Sequence, residues 1–182
     1  MSDLPACSDA AIVISATFTA EPLSPGLSLV LQEAGLALHV RFSPYHQVLQ
    51  ELLSPTSVLA TNSAGVNVVL LRVEDFVREI GSLEEARAIV LRMVGELSEA
   101  LAQHARRVKV PTVFAVLPPS PGAKSVLVPN LEAASSALIE HARRLPGIAL
   151  LSAEEIDLVS SGERYDRLGD ELAHMPFTDE HY

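Results

Sequence analysis

The sequence predicts a three-layer αβα domain, with helices packed on both faces of a central, mostly parallel five-stranded sheet. Three observations predict it. Short apolar runs rich in Val, Ile and Leu recur at 11–16, 36–42, 66–73, 108–117 and 147–151, each bounded by turn residues. Segments whose apolar residues step by three and four separate these runs, the longest at 83–107. The chain has 182 residues and 48% hydrophobic content, enough for one sizeable core. Regular alternation of strand and helix is the signature of parallel strands joined by helical crossovers.

Each element has a local reason. Residues 1–10 are polar and Pro-containing and read as a flexible leader before a single domain at 11–182. Ala11 to Ala16 reads as the first strand. Ser24 followed by Pro25 reads as a helix start, with Gly35 as the stop. The alternation Leu36, Leu38, Val40, Phe42 reads as the second strand. A helix is expected over Tyr45 to Leu53 after Ser43-Pro44, and a short strand or turn at 57–60. The turn Thr61-Asn62-Ser63-Ala64-Gly65 leads into the central strand, Val66 to Val73, whose continuous apolar character predicts burial on both faces. Ser82, with Glu84 and Glu85 behind it, starts the long helix, and Arg106-Arg107 suits its end. Val108 to Leu117 is the fourth strand, Asn130 to Arg144 a helix, and Gly147 to Leu151 the fifth strand. Ser152 to Val159 reads as a short helix or turn, and Gly162 to Tyr182 as a polar tail.

Composition excludes several classes. A formal net charge of −10 disfavours nucleic acid and anionic membrane as partners. No run is long and apolar enough for a membrane span, and the N-terminal residues lack a charged-then-apolar leader, so a cytoplasmic protein is expected. The single cysteine, Cys7, rules out an internal disulfide and reads as a surface thiol. Six histidines are scattered without a ligand-like pair, and His104 and His141 read as surface residues on helices. No Gly-rich phosphate-binding motif occurs, so no bound cofactor is expected.

Ligands of open α/β sheets bind beyond the carboxyl ends of the strands. The polar residues assigned there are Ser15, Thr17 and Thr19, then Ser43, Asn62 beside Gly65, the charged tip Arg72-Val73-Glu74-Asp75, Ser120, and the late Asp170 and His174. A hydroxyl after the first strand with a late Asp and His suits acyl transfer. The hydroxyl attacks, His takes its proton, and Asp orients His. Asn62 and the Gly65 turn would supply oxyanion donors. The bland alternative is equally concrete: hydroxyls cap helices, and Arg72 with Asp75 forms a structural ion pair.

Two stretches carry a family resemblance. Phe42-Ser43-Pro44-Tyr45-His46-Gln47, with Gly65 to Phe76 (G-V-N-V-V-L-L-R-V-E-D-F), resembles the amino-terminal domain of FkbH-like proteins, where the pattern is close to "apYNQv" and "GvnvvLlRleD". Gly169 to Thr178 (G-D-E-L-A-H-M-P-F-T) resembles the segment that closes that domain. The resemblance implies an SGNH-like hydrolase fold. In the family this domain precedes a haloacid-dehalogenase-type phosphatase domain, whose DxDx[TV] motif does not occur here. It further implies an accessory role in polyketide or nonribosomal peptide assembly lines. The partner would be an acyl or peptidyl carrier protein, and the substrate an acyl group on its phosphopantetheine arm.

Against the SGNH pattern, Thr17 occupies the nucleophile position with Ser15 beside it, and Glu74 replaces the oxyanion-holding Asn. Asp170 and His174 stand one residue further apart than the family's Asp-x-x-His, with Asp166 as a second orienter. Asn62, Gly65, Arg72, Glu74 and Asp75 form the implied substrate-binding rim. Losing an oxyanion donor costs about 3 kcal/mol of transition-state stabilisation. The resemblance therefore leaves three readings: an acyltransferase-like accessory protein, a non-catalytic pseudo-SGNH module that binds a carrier, and an SGNH-type esterase.

Overall fold

The computed structural model describes residues 10–152, 155, 164–178 and 182. Cys7, the leader and most of the 152–159 stretch lie outside the described residues. The sheet has five strands in the order β2-β1-β3-β4-β5, every neighbouring pair parallel. The strands are β1 (Ala11–Ala16), β2 (His39–Phe42), β3 (Gly65–Leu71), β4 (Thr112–Val116) and β5 (Ile148–Leu150). The helices are α1 (Leu23–Glu33), α2 (Val48–Leu53), α3 (Val58–Thr61), α4 (Leu83–Arg107), α5 (Val128–Ala142) and α6 (Arg167–Ala173), with a 3-10 turn at Val73–Phe76. This is the expected three-layer α/β architecture. The chain moves outward from β1 to β2, then returns past β1 to β3. The crevice beyond the carboxyl ends of β1 and β3, where Ala16 pairs with Leu70, is the topological switch point.

The main core lies on one face, where Leu52, Leu59, Val69, Leu71, Phe114 and Leu131 pack with the buried stripe of α4. That stripe runs Ala86, Val90, Met93, Leu97, Leu101 and His104, as helical periodicity requires. Ser82 caps α4 by accepting from the Glu85 N–H. The opposite face is thinner. Ile14, Ala16, Phe18 and Leu117 are buried there, with α1, Phe177 and Tyr182 packed over them. β3 is consequently not sealed equally on both sides. Asn67, Val69 and Leu71 are buried, whereas Val66, Val68 and Leu70 are half-buried.

Several boundaries differ from expectation, each for a local cause. β2 begins at His39 because Leu36 still belongs to the end of α1: Gly35 turns left-handed (φ +67°) and the Leu36 N–H donates back to the Leu31 carbonyl. α2 starts at Val48, since His46 adopts φ +56° and holds residues 45–46 in a turn. Residues 58–61 form a helical turn, capped by Ser57, which accepts from the Ala60 N–H. β4 starts at Thr112, the Val108 N–H being spent on the His104 carbonyl at the end of α4. The supposed tail is folded. Asp166 caps α6 by accepting from the Gly169 N–H, and Tyr165 bridges Phe177.

His104 corrects another expectation. It is fully buried on α4, its Nε2 3.2 Å from the Thr112 hydroxyl. His141 is half-buried. The neighbouring arginines made residue 104 look like surface, but the helical step turns it inward, onto the stripe of Leu97 and Leu101. Burial lowers the His104 pKa from 6.5 to about 4, with Arg107 adding to the effect. A depressed histidine favours the neutral fold, so its stabilisation is full above pH 6.5 and is lost as pH falls toward 4.

Two predictions follow from these positions. Between pH 7 and pH 4, wild type should lose about 3 kcal/mol more stability than His104→Gln in urea titrations; parallel curves would refute the assignment. Gly65 adopts φ +105°, and a Cβ there would sit 2.2 Å from the Ala11 carbonyl oxygen. Gly65→Ala should therefore cost roughly 3 kcal/mol, read as a lowered Tm.

Candidate functional site at the carboxyl edge of the sheet

The residues immediately after β1 and β3 meet. Thr17 continues the β1 ladder, its N–H donating to the Leu70 carbonyl at 3.2 Å. Its hydroxyl is fully buried and used in both directions. It accepts from the Arg72 N–H at 2.9 Å and donates to Asp75 Oδ2 at 2.8 Å. Arg72 follows β3 and is only 2% exposed. Its Nε and Nη2 donate to Asp75 Oδ1, and Nε lies 3.4 Å from Glu74 Oε1. Its Nη1 and Nη2 donate to the two oxygens of Asp170 on α6, at 3.2 and 2.9 Å. Arg78 completes the cluster, donating to Asp75 at 3.0 Å and to Asp170 at 2.6 Å. The Tyr165 hydroxyl donates to Asp170 Oδ2 at 2.9 Å.

The charges follow from these partners. Burial alone would lower the Arg72 pKa, but the hydrogen bonds and charge of Asp75, with Asp170, outweigh it and raise it above the ordinary arginine value. For Asp170 burial pushes upward, and the hydrogen bonds from Arg72 and Arg78 overcome it, holding the carboxyl below its usual range. Glu74 goes the other way. Burial raises it, opposed by Arg72 and by Ser120, whose N–H and hydroxyl donate to its carboxylate at 2.9 and 3.2 Å. Two guanidinium groups thus balance a set of carboxylates in a buried network.

The predicted site residues fall into four groups. Thr17, Arg72, Glu74, Asp75 and Asp170 are brought together. His174 reaches the same edge through its backbone. As the left-handed cap of α6 (φ +54°), it accepts from the Thr19 N–H at 2.9 Å. Its ring stacks on Tyr45, centroids 5.3 Å apart. The serine-type triad is nevertheless not assembled. The Thr17 hydroxyl is bound to Asp75 rather than to His174, the Asp170 carboxylate holds the arginines rather than His174, and Asp166 is spent capping α6. Ser15 is also fully buried, accepting from the Ser43 hydroxyl at 2.8 Å. Asn62 and Gly65 are misplaced. Asn62 precedes β3 and Gly65 is its first residue, so both sit at the amino edge of the sheet, where Asn62 Nδ2 donates to Ala11 O and Asn67 Oδ1. The turn that leads into a strand cannot line the crevice beyond its far end.

Sequence reasoning missed four contributors. His46 lies with Nδ1 3.1 Å from the Thr17 carbonyl, so in the neutral ring Nδ1 is the donor and Nε2 carries the lone pair. Arg78, three residues after Asp75, was legible as an i, i+3 partner. Tyr165 and Lys124 carried no local signal. Together with Glu74, Ser120 and α5, they line a cleft of about 310 Å³ beside the ion cluster. Among the described residues no group of three or more His, Cys, Asp or Glu is arranged to hold a metal ion. No helix among them is long and apolar enough to cross a membrane.

No family model and no curated protein sequence matches the chain. Among solved structures, it is similar to the N-terminal part of the protein BF1531 from Bacteroides fragilis, described as containing a phosphatase domain complexed with Mg. The TM-score is 0.72 at 6% sequence identity, over 94% of this chain and 48% of that one. The likeness is one of fold, and this chain spans about half the length of that protein's solved part.

Removing the central cation should expose the cost of the network. Arg72→Gln leaves buried carboxylates without their main partner and should destabilise the fold by roughly 3–5 kcal/mol. Asp170→Asn should also destabilise at pH 7. The group's pKa is depressed in the fold, so its stabilisation is present above pH 3.8 and is lost as pH falls below that value. The gap between wild type and Asp170→Asn in denaturant melts should close accordingly; a gap independent of pH would contradict the pairing.

Proposed function

We propose that this protein is an accessory component of a polyketide or nonribosomal peptide assembly line that docks with an acyl group borne on a carrier protein. It works as a pseudo-SGNH module, without an acyl-enzyme at Thr17. The observation that carries the second half is the state of the Thr17 hydroxyl, fully buried, donating to Asp75 and accepting from the Arg72 N–H. A nucleophile must offer a lone pair to a carbonyl approaching from solvent and its proton to a base. This hydroxyl is closed off from solvent, its lone pair is taken by the Arg72 N–H, and its proton points to a carboxylate already paired with Arg72 and Arg78.

Glu74 points the same way. A carboxylate held by Ser120 at the oxyanion position opposes the charge that acyl transfer develops. The first half rests on the FkbH-like character of Phe42 to Phe76 and Gly169 to Thr178. It draws further support from the fold shared with part of a protein whose described content includes a phosphatase domain. On this reading the phosphopantetheine arm belongs to the partner, the protein acts in the cytoplasm, and the rim of Arg78, Tyr45 and His174 faces the carrier.

The test is native and intact mass spectrometry with a panel of acyl-loaded carrier proteins. A complex is expected with at least one of them, with no acyl mass transferred to this chain and no labelling by a fluorophosphonate probe. Thr17→Val should leave carrier affinity within about twofold while lowering Tm. Absence of any complex sinks the docking, and an acyl adduct that disappears in Thr17→Ala sinks the non-catalytic assignment.

A further inference from the structure

The outer face of α6 carries an apolar ridge. Leu168 and Leu172 are 65% and 77% exposed and stand one turn apart, so their side chains are neighbours pointing away from the protein. Leu91 on α4 is as exposed, at 77%, but Arg87 and Gly95 stand one turn to either side of it, and a solitary exposed leucine needs no explanation. On one flank of the α6 ridge, at the same one-turn spacing, Arg167 Nε donates to Glu171 Oε1 at 2.9 Å, and both side chains are exposed. The helix beneath is firmly held. Asp170 on its inner side is bound by Arg72 and Arg78, Asp166 caps its first turn, and the His174 carbonyl at its end accepts from the Thr19 N–H. A ridge fixed in this way loses little further freedom when something covers it.

The order of these four residues says what covers it. Along α6 a cation and a leucine, Arg167-Leu168, are followed one turn later by an anion and a leucine, Glu171-Leu172. A two-fold axis normal to the plane of a helix pair reverses the helix direction and keeps each flank on its own side. The leucine ridge is unchanged by that operation, so Leu168 of one copy meets Leu172 of the other. The flank reverses its charge order, so Arg167 of each copy meets Glu171 of the other. A parallel partner would instead set Arg167 against Arg167 and Glu171 against Glu171. The pattern is complementary to itself when antiparallel, which is what a contact between identical patches requires. The net charge of −10 on each copy opposes association in general, so the attraction is local to this face.

We propose that α6 is a self-association surface, through which two copies of this chain pair antiparallel about a two-fold axis, Leu168 packing on Leu172 and Arg167 pairing with Glu171 across it. One short helix buries less than a standard interface, so the pair is weak, with a Kd of about 10–500 μM. Arg167 and Glu171 also line the cleft of about 310 Å³, so the two clefts come to lie on the same side of the pair. The inference does not rest on carrier docking, since neither leucine belongs to the rim of Arg78, Tyr45 and His174.

The experiment is sedimentation equilibrium of the full chain from about 5 μM to about 1 mM, in about 150 mM salt to screen the overall repulsion. Wild type should pass from monomer toward dimer across that range. Leu168→Ser combined with Leu172→Ser should weaken association at least about tenfold while Tm holds, because both side chains are exposed, and Leu91→Ser should leave it unchanged. Glu171→Arg sets cation against cation across the axis and should weaken association about fivefold. Adding Arg167→Glu restores the alternation in the opposite sense and should bring association back to within about twofold of wild type. A monomer at every concentration, association indifferent to the paired leucine variant or to Glu171→Arg, or a Glu171→Arg loss that Arg167→Glu does not recover would overturn the proposal.

Discussion

One buried guanidinium holds the carboxyl edge of the sheet together. Arg72 leaves β3, offers its backbone N–H to Thr17 after β1, and grips Asp75 in the next turn and Asp170 on α6. Burying a guanidinium is costly, and the cost is offset only where every donor finds an anion in good geometry. That condition fixes several elements at once. The 3-10 turn must fold Asp75 back toward its own chain, α6 must arrive with Asp170 facing inward, and the Thr17 hydroxyl must close the remaining acceptor. Arg78 and Tyr165 then satisfy the outer lone pairs of Asp170. The cluster is a structural keystone laid over the place where open α/β sheets bind ligands.

That placement draws the residues after β1 and β3 and the late Asp170 into one ion cluster. In the triad arrangement a hydroxyl is free on one side and hydrogen-bonded to an imidazole on the other. Here an arginine network absorbs the hydroxyl, and the late carboxylate that would orient an imidazole is drawn onto the same network. His174 keeps its position at the edge, its ring stacked on Tyr45 and its carbonyl accepting from the Thr19 N–H. The orientation of the His46 ring is set by the Thr17 carbonyl, 3.1 Å from its Nδ1. The two histidines share a left-handed backbone and flank the same tyrosine, so the edge carries a small aromatic cluster next to a charged one. The open cleft lies to one side of the cluster, between Ser120 after β4, Tyr165 and Leu131 of α5.

The fold and the site were legible in the sequence to different depths. The central strand, the long helix α4 with its Ser82 cap, and the alternation that makes the sheet parallel all follow from local periodicity and turn chemistry. Such signals act within one or two turns of chain, where side-chain direction is set by backbone geometry. The same local logic erred wherever direction depended on something remote. Asn62 was assigned to the wrong end of β3 because a polar turn looks alike before and after a strand. His104 reads as surface among arginines until the helical face it occupies is known. Most of Ser152 to Val159, Cys7 and nearly all of the leader lie outside the described residues.

By itself the sequence determined the layer architecture, the strand that leads to the rim, and the residue types gathered there, since Arg72, Glu74 and Asp75 are neighbours along the chain. Tertiary structure alone decided what those residues do. Asp170 lies 98 positions from Arg72, and Thr17 lies 55 from it. Whether a hydroxyl attacks or merely braces, and whether a carboxylate orients an imidazole or neutralises a guanidinium, depends on which charges the crossovers bring within 3 Å. Coulomb attraction and desolvation act through space, and no periodicity along the chain encodes that distance.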